Sequence, residues 1–407
     1  MSFRLFSISS MYQGSIDLFY NTHPEISQIQ YKEHLEQLLE YTTEFAGSYI
    51  RNFRKLKLKA DCLIANDKNL QSKWARERGI DPEKKEEIIF DQVKSFTPDI
   101  LMIENLSVVS SELLQRLRKD LKSIRLIIAN HCAPFNSKAL ESLKDVDFVF
   151  TCTPGLKSDI ERMGKKSYLI YHGFDADLLQ RFNVLKDHVQ NDFIFSGSLI
   201  SGGDFHAQRI RLIEQILHEN IPIDLYVNLE NKLNLRVKQA IYLFSSFLKK
   251  IKMEEYFSRY QFLQYGKTRV DSYSETLLRH KKPPVFGMDM FNLFINSRIV
   301  LNFHIGVAGD FAGNMRMFEV TGVGSCLLTD NKKNMHDLFI PGSEVVTYDN
   351  PDDCIEKAKW LLDHEDERKQ IALAGHQRTL KYHTVENRCR TIIDILEEEL
   401  NHSDRQS

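Results

Sequence analysis

At 407 residues, 42% hydrophobic and 27% charged, the chain is too long for one hydrophobic core and too apolar to be disordered. A norm of about 100–200 residues per domain implies two or three domains. A formal net charge of −2 excludes a nucleic-acid partner recruited by bulk positive field. No run reaches the ~18 apolar residues of a membrane span. The opening MSFRLFSISSMYQGS lacks an uninterrupted apolar core with a small-residue cleavage site, so it does not read as a signal peptide. The six cysteines (Cys62, Cys132, Cys152, Cys326, Cys354 and Cys389) are dispersed and form no C-x-x-C pair. That pattern predicts reduced thiols in a cytoplasmic protein rather than a disulfide frame or a zinc site.

Along the first half, short apolar runs predict strands over 3–9, 62–66, 99–104, 125–130, 147–152 and 167–171. Most barely alternate, as expected of strands covered on both faces. Helical periodicity falls between them, over 34–49, 83–95, 110–121 and 156–163. The theme repeats in the second half, with strands expected over 192–195, 223–227, 260–264, 298–304, 326–329 and 344–348. Helices are expected over 206–218, 231–256, 271–279, 288–296, 315–321 and 351–362, and the charged, amphipathic stretch 366–400 closes the chain. Strand–helix–strand alternation predicts doubly wound parallel sheets, and the polar stretch within 171–191 predicts the boundary between two halves. Two Rossmann-like halves then face each other across a cleft, with ligands at the carboxyl ends of the strands.

Two loops have the composition of anion sites. The strand over 192–195 is followed by Ser196-Gly-Ser-Leu-Ile-Ser-Gly-Gly203 and a helix carrying His206, Arg209 and Arg211. Gly197 and Ser198 there let backbone N–H groups approach an anion. It is not G-x-G-x-x-G, and an ordinary βα loop accounts for it equally well. The strand over 298–304 leads through glycines 306, 309 and 313 to Asn314, a good N-cap. Arg316 and Glu319 follow, three apart on one helix face. A guanidinium there suits phosphate oxygens, and a carboxylate one turn deeper suits ribose hydroxyls. A surface ion pair accounts for the same spacing.

The order of apolar strand, glycine-containing loop, short helix with a glutamate, then GVGSCLLTD resembles the nucleotide-sugar motif of group 1 glycosyltransferases with the GT-B fold. It is most similar to the spore-maturation-like branch, through Arg316, Phe318, Glu319, Gly324, Leu327, Leu328, Thr329 and Asp330. The resemblance covers about 190–400 and is only topological before that. It implies an α/β chain of two Rossmann-like domains facing across a cleft (GT-B). Residues 1–175 would form the acceptor-binding domain and 190–385 the nucleotide-sugar-binding domain. Residues 386–407 would form a helix packing back on the N-terminal domain.

By position, Glu319 would bind the ribose. Gly313 and Asn314 would lie by the diphosphate and donor sugar, Gly197 and Ser198 would form the first phosphate-facing loop, and 285–287 would meet the base. The resemblance also implies a diphosphate neutralised by helix dipoles and cations, here Arg316, Arg209 and Lys267, rather than by metal. One departure stands out. Many group 1 enzymes carry an earlier glutamate, seven residues intervening, and that position here is Phe311, with Asp310 beside it out of register.

From the N-terminal half, His131 directly follows its strand and is the candidate acceptor base, an imidazole being suited to proton removal near neutral pH. A hydrogen-bonded loop histidine explains it equally. Gly14 and His23, in MYQGSIDLFYNTHPE, are the candidate acceptor-side residues. Asp145-Val-Asp147 and Asp175-Ala-Asp177 read as structural or solvated, His172 as linker and Trp74 as core or sugar-stacking. Lysines within 231–256 leave open a peripheral contact with an anionic membrane or lipid-diphosphate acceptor.

The expectation is a cytoplasmic glycosyltransferase, metal-independent and retaining. It would use a nucleotide-sugar donor with a glycan, glycolipid or protein acceptor, no nucleic acid and no cofactor. A non-catalytic nucleotide-sugar-binding scaffold and a nucleotide-sugar epimerase are the alternatives.

Overall fold

A computed structural model describes residues 3–133, 135–182, 190–201, 204–251, 269–304 and 309–406. The first half contributes β1 (Arg4–Ser9), β2 (Lys59–Ile64), β3 (Ile100–Ile103), β4 (Leu126–Asn130), β5 (Phe148–Thr151) and β6 (Ser167–Leu169). They form one parallel sheet in the order β2-β1-β3-β4-β5-β6. The second half contributes β7 (Asn191–Leu199), β8 (Asp224–Leu229), β9 (Lys281–Lys282), β10 (Ser297–Asn302), β11 (Cys326–Asp330) and β12 (Val346–Tyr348). These pair, again in parallel, in the order β12-β11-β10-β7-β8-β9.

Both sheets are covered on both faces, which is why their strands read as unbroken apolar runs. In the first sheet Leu5, Ile64, Met102, Ile128 and Phe150 face one core, and Phe6, Ile8, Leu63, Ile103 and Val149 the other. In the second, Phe193, Val227, Leu301 and Leu328 oppose Ile194, Val300 and Leu327. Strand order reverses between β1 and β3 in the first sheet and between β7 and β10 in the second. The two reversals place open crevices at the carboxyl ends of those strands.

Three of the differences from expectation shape the region between the domains. The helix over 34–49 is two, Tyr31–Tyr41 and Phe45–Lys55, broken at 42–44. Gly47 sits so close to Thr42 and Leu39 that any side chain there would collide. Arg51 from the second helix caps the first by donating to the carbonyls of Leu39 and Thr42. The phosphate-loop candidate beginning at Ser196 is largely strand. β7 runs on to Leu199 because β8 also continues, pairing Gly197 with Val227 and Ser198 with Asn228. The closing stretch is two helices, Glu365–Tyr382 and Val385–Gln406, separated where Thr384 bridges Phe174.

That bridge is where the chain crosses between domains a second time. Phe174 N–H donates to the His383 carbonyl at 2.8 Å and Val385 N–H to the Phe174 carbonyl at 2.9 Å. Beyond it Val385, Cys389, Ile392, Leu396 and Leu400 enter the core of the first sheet. Among the described residues, no helix is long and apolar enough to cross a membrane. The strand expected over 260–264, Lys252, Lys267, glycines 202, 203 and 306, and the side chain of His206 lie outside the described residues.

Candidate functional site

The crevice of the second sheet is spanned by Arg209, from the helix that follows β7. Its guanidinium donates to the Ser198 carbonyl at the end of β7 (3.1 Å) and to the Phe303 carbonyl just past β10 (2.5 Å), and it lies over the Phe195 ring. Burial pulls its pKa down to about 10, the Asp330 carboxylate opposing, so it stays charged at neutral pH. Gly197 packs on the Phe195 ring, 3.2 Å from where a Cβ would sit.

Beyond β10, His304 is buried. Its backbone N–H (2.9 Å) and Nδ1 (2.7 Å) both reach Asp330 Oδ1 at the end of β11, and its Nε2 is enclosed without a partner among the described residues. Burial alone would raise the Asp330 pKa, but the His304 contact and Lys332 bring it below the ordinary value. Lys332 Nζ lies 3.2 Å from Asp330 Oδ2. A cavity of about 630 Å³ opens at these strand ends, lined among others by Phe303, Asp330, Lys332, Tyr348 and Arg211. Neither Arg316 nor Glu319 lines it.

Asn314 precedes helix Met315–Gly322 but makes no side-chain cap. Its Nδ2 instead donates to Asn302 Oδ1 at 2.7 Å, and its Oδ1 is buried and unpartnered among the described residues. Arg316 and Glu319 pair at 2.8 Å, and the guanidinium also lies 4.7 Å from the centre of the Phe294 ring and contacts Met290 sulfur. Only 12% of the Glu319 side chain and 20% of the Arg316 side chain are exposed, so this is not a freely solvated surface pair.

Across the gap stands the crevice of the first sheet, where Tyr12, Glu44 and Glu104 gather. Tyr12 and Glu44 lie close enough to Glu319 to feel its charge. Glu44 Oε2 accepts from Tyr12 N–H at 2.9 Å, while Oε1 is buried without a partner among the described residues. Burial chiefly, with the Glu319 charge adding, pushes its pKa up to about 7 against the bonds from Ser15 and Tyr12. Burial likewise lifts Glu104, at the end of β3, to about 8. The two domains touch on either side of this gap. Gly14 packs under the Phe286 ring, Gly155 on Phe311, and Gly313 on the Cys152 carbonyl.

A family model described as "Glycosyl transferase-like" matches residues 239–394. No curated protein matches in sequence. Anabaena Alr3699/HepE, solved in complex with UDP-glucose, superposes with a TM-score of 0.56 at 11% identity, covering 97% of this chain and all of that one. A glycosyltransferase from Rickettsia africae gives 0.54 at 9% identity and 98% of each chain. The fold is GT-B.

Within the GT-B frame, the structure brings Arg209, Gly313, Asn314, Arg316 and Glu319 to the interdomain edge of the second sheet. It separates others. His131 is not open at the cleft edge: it is 2% exposed, its ring lies 4.2 Å from Phe135, its Nε2 is enclosed, and burial lowers its pKa to about 4. Gly14 and His23 do not share a loop, because Gln13–Thr22 is helical. His23 caps the far end of that helix, stacked on Phe19, roughly 13 Å along the axis at 1.5 Å per residue.

Phe311 plugs against Gly155, and Asp310 pairs with Lys333 on the surface. Both D-x-D triplets are held by neighbours, Asp147 by Arg118 and Asp175 by Arg51. Trp74 packs edge-on against Tyr31 and donates to Asp91. Sequence reading missed Glu44 and Glu104. Glu104 follows its strand as directly as His131 follows β4, so its position was a signal. Glu44 was hidden inside a helix that the fold breaks.

Proposed function

We propose that the protein is a glycosyltransferase that moves a sugar from a nucleotide-sugar donor to a glycan, glycolipid or protein acceptor. The observation that carries this reading is the buried Arg316–Glu319 pair. It stands on a helix at the interdomain edge of a GT-B fold, within the segment matched by the glycosyl transferase-like model, and opposite Tyr12 and Glu44. The carboxylate suits a ribose, and Arg316, Arg209 and Lys332 suit a departing diphosphate, which supports transfer without metal at the phosphates. The proposal extends to retention at the anomeric carbon and to the spore-maturation-like branch, supported by the motif from Arg316 to Asp330. UDP is the first nucleotide to try, because Alr3699/HepE was solved with it.

On the acceptor side we assign proton exchange to Glu44 ahead of His131. A carboxyl with a pKa near 7 suits that task at neutral pH, whereas the His131 ring is closed in by Phe135. Peripheral membrane contact is supported by helix Lys232–Lys250, where Leu233, Leu243 and Phe247 are exposed among lysines. A non-catalytic scaffold is favoured by one observation, the Phe311 plug in place of the earlier glutamate.

Thermal unfolding with UDP, GDP, dTDP, ADP and CMP tests the donor site. One nucleotide raises the melting temperature of the parent, and Glu319→Ala weakens that nucleotide about tenfold, ~1.4 kcal/mol, while circular dichroism stays native. Unchanged melting with every nucleotide refutes the donor site. Binding without donor hydrolysis or transfer to any acceptor selects the scaffold.

A further inference from the structure

The carboxyl ends of three neighbouring strands in the first sheet each release one soft ligand. Cys132 lies two residues past β4, Cys152 one past β5, and His172 three past β6. These strands are consecutive in the sheet and paired in parallel, Asn130 opposite Phe150 and Thr151 opposite Leu169. Adjacent strands ~4.8 Å apart therefore present the three side chains side by side at the cleft-facing edge. Their two sulfurs and one imidazole nitrogen all lie within 4.8 Å of one another. A tetrahedral zinc site with Zn–S bonds of roughly 2.3 Å sets its sulfurs about 3.8 Å apart, a spacing within that bound. Among the described residues this is the only group of three or more histidine, cysteine or acidic side chains that meets that test.

We propose that Cys132, Cys152 and His172 bind one zinc ion, the fourth vertex being left to water. Two thiolates and an imidazole select a soft or borderline divalent cation over magnesium or calcium. On binding, the two thiols release their protons to solvent and the imidazole ligates as the neutral base.

The position says what the ion does. His172 opens the connector between domains, and its carbonyl accepts from Arg388 Nε at 3.1 Å. The next residue, Gly173, is pressed against the Thr384 backbone, and the Cys152 carbonyl against Gly313. Zinc thus ties the connector to the edge of the first sheet, beside the surface on which the second domain rests. The ion is a pin for the hinge and takes no part in transfer, so the site stands whether or not the glycosyltransferase reading does.

The test uses the full chain, purified reduced and stripped by chelator, then titrated with Zn²⁺ against a chromophoric competitor and separately with Co²⁺. The expected result is one Zn²⁺ per chain, a higher melting temperature with metal, and thiolate-to-cobalt charge-transfer absorption in the near ultraviolet. Cys152→Ser and Cys132→Ser each remove about half of that absorption or all of it. His172→Asn leaves the far-ultraviolet circular dichroism native and weakens Zn²⁺ by roughly tenfold or more, since even an outer-shell partner is worth 10–100-fold. It remains informative where a cysteine variant fails to fold. No stoichiometric Zn²⁺ in the reduced parent, charge transfer unchanged in Cys132→Ser, or unchanged affinity in His172→Asn overturns the proposal. A disulfide between Cys132 and Cys152 that persists under reductant also overturns it.

Discussion

At the scale of single residues, the first domain buries groups whose charge is costly to keep. Glu44 and Glu104 are carboxyls lifted by burial, to about 7 and about 8, and His131 is an imidazole lowered by burial to about 4. Their contributions to stability have opposite signs. For Glu44, the folded chain holds a proton that the unfolded chain has already lost, so stability falls as pH rises from about 4.5 through 7. For His131, the unfolded chain takes a proton that the folded chain refuses, so stability falls as pH drops from about 6.5 towards 4. Glu44→Gln removes only the first effect. Relative to the parent, its melting temperature rises more at pH 8 than at pH 5, read by calorimetry at both; an equal difference at the two values removes Glu44 from the buried, perturbed set. The Arg316–Glu319 pair was legible because two charges three apart share a helix face. The enclosure that distinguishes it from a surface pair includes Phe294 and Met290, neither of which spacing reveals.

At the scale of elements, eleven of the twelve strands and their parallel pairing followed from apolar runs; β9, two lysines, did not, and neither did element ends. β7 runs past the apolar segment because β8 offers it partners as far as Leu229. The break at 42–44 depends on Gly47 and Arg51 meeting the preceding helix, a contact between elements rather than a local preference. Close backbone approach also governs the glycine before helix Met315–Gly322. A Cβ on Gly313 would stand 2.5 Å from the Cys152 carbonyl and 2.6 Å from Thr153 Cγ2. Neither can yield without parting the domains there. Gly313→Ala is expected to cost about 1–3 kcal/mol, as overpacking does, and to enlarge the radius of gyration in small-angle scattering. Gly79→Ala is the control: φ is +67° with nothing within 4 Å of an added Cβ. It is strained by about 1–2 kcal/mol and keeps the parent's radius. Equal scattering for Gly313→Ala and the parent refutes the interdomain role of Gly313.

At the scale of the whole molecule, the final helix Val385–Gln406 belongs to the first sheet, though it follows the second in the chain. Leu396 is fully buried there, and Glu399 binds Lys166 (2.6 Å) and Tyr168 (2.7 Å) beside it. Leu396→Ala is expected to cost about 2–5 kcal/mol and to destabilise the first domain even though the substitution lies at the far end of the chain. Urea unfolding monitored by hydrogen exchange in β1–β6 checks this, and loss of protection confined to the second sheet refutes it. By itself, the sequence determined two parallel α/β halves, because burial on both faces writes itself as unbroken apolar runs. It also marked the Arg316–Glu319 helix. Only the tertiary structure decided which side chains share the gap. Glu44 arrives through a broken helix, His131 is covered by Phe135, and Cys132, Cys152 and His172 converge from three loops. Proximity across a sheet edge is set by strand order, and strand order leaves no periodic trace in the chain.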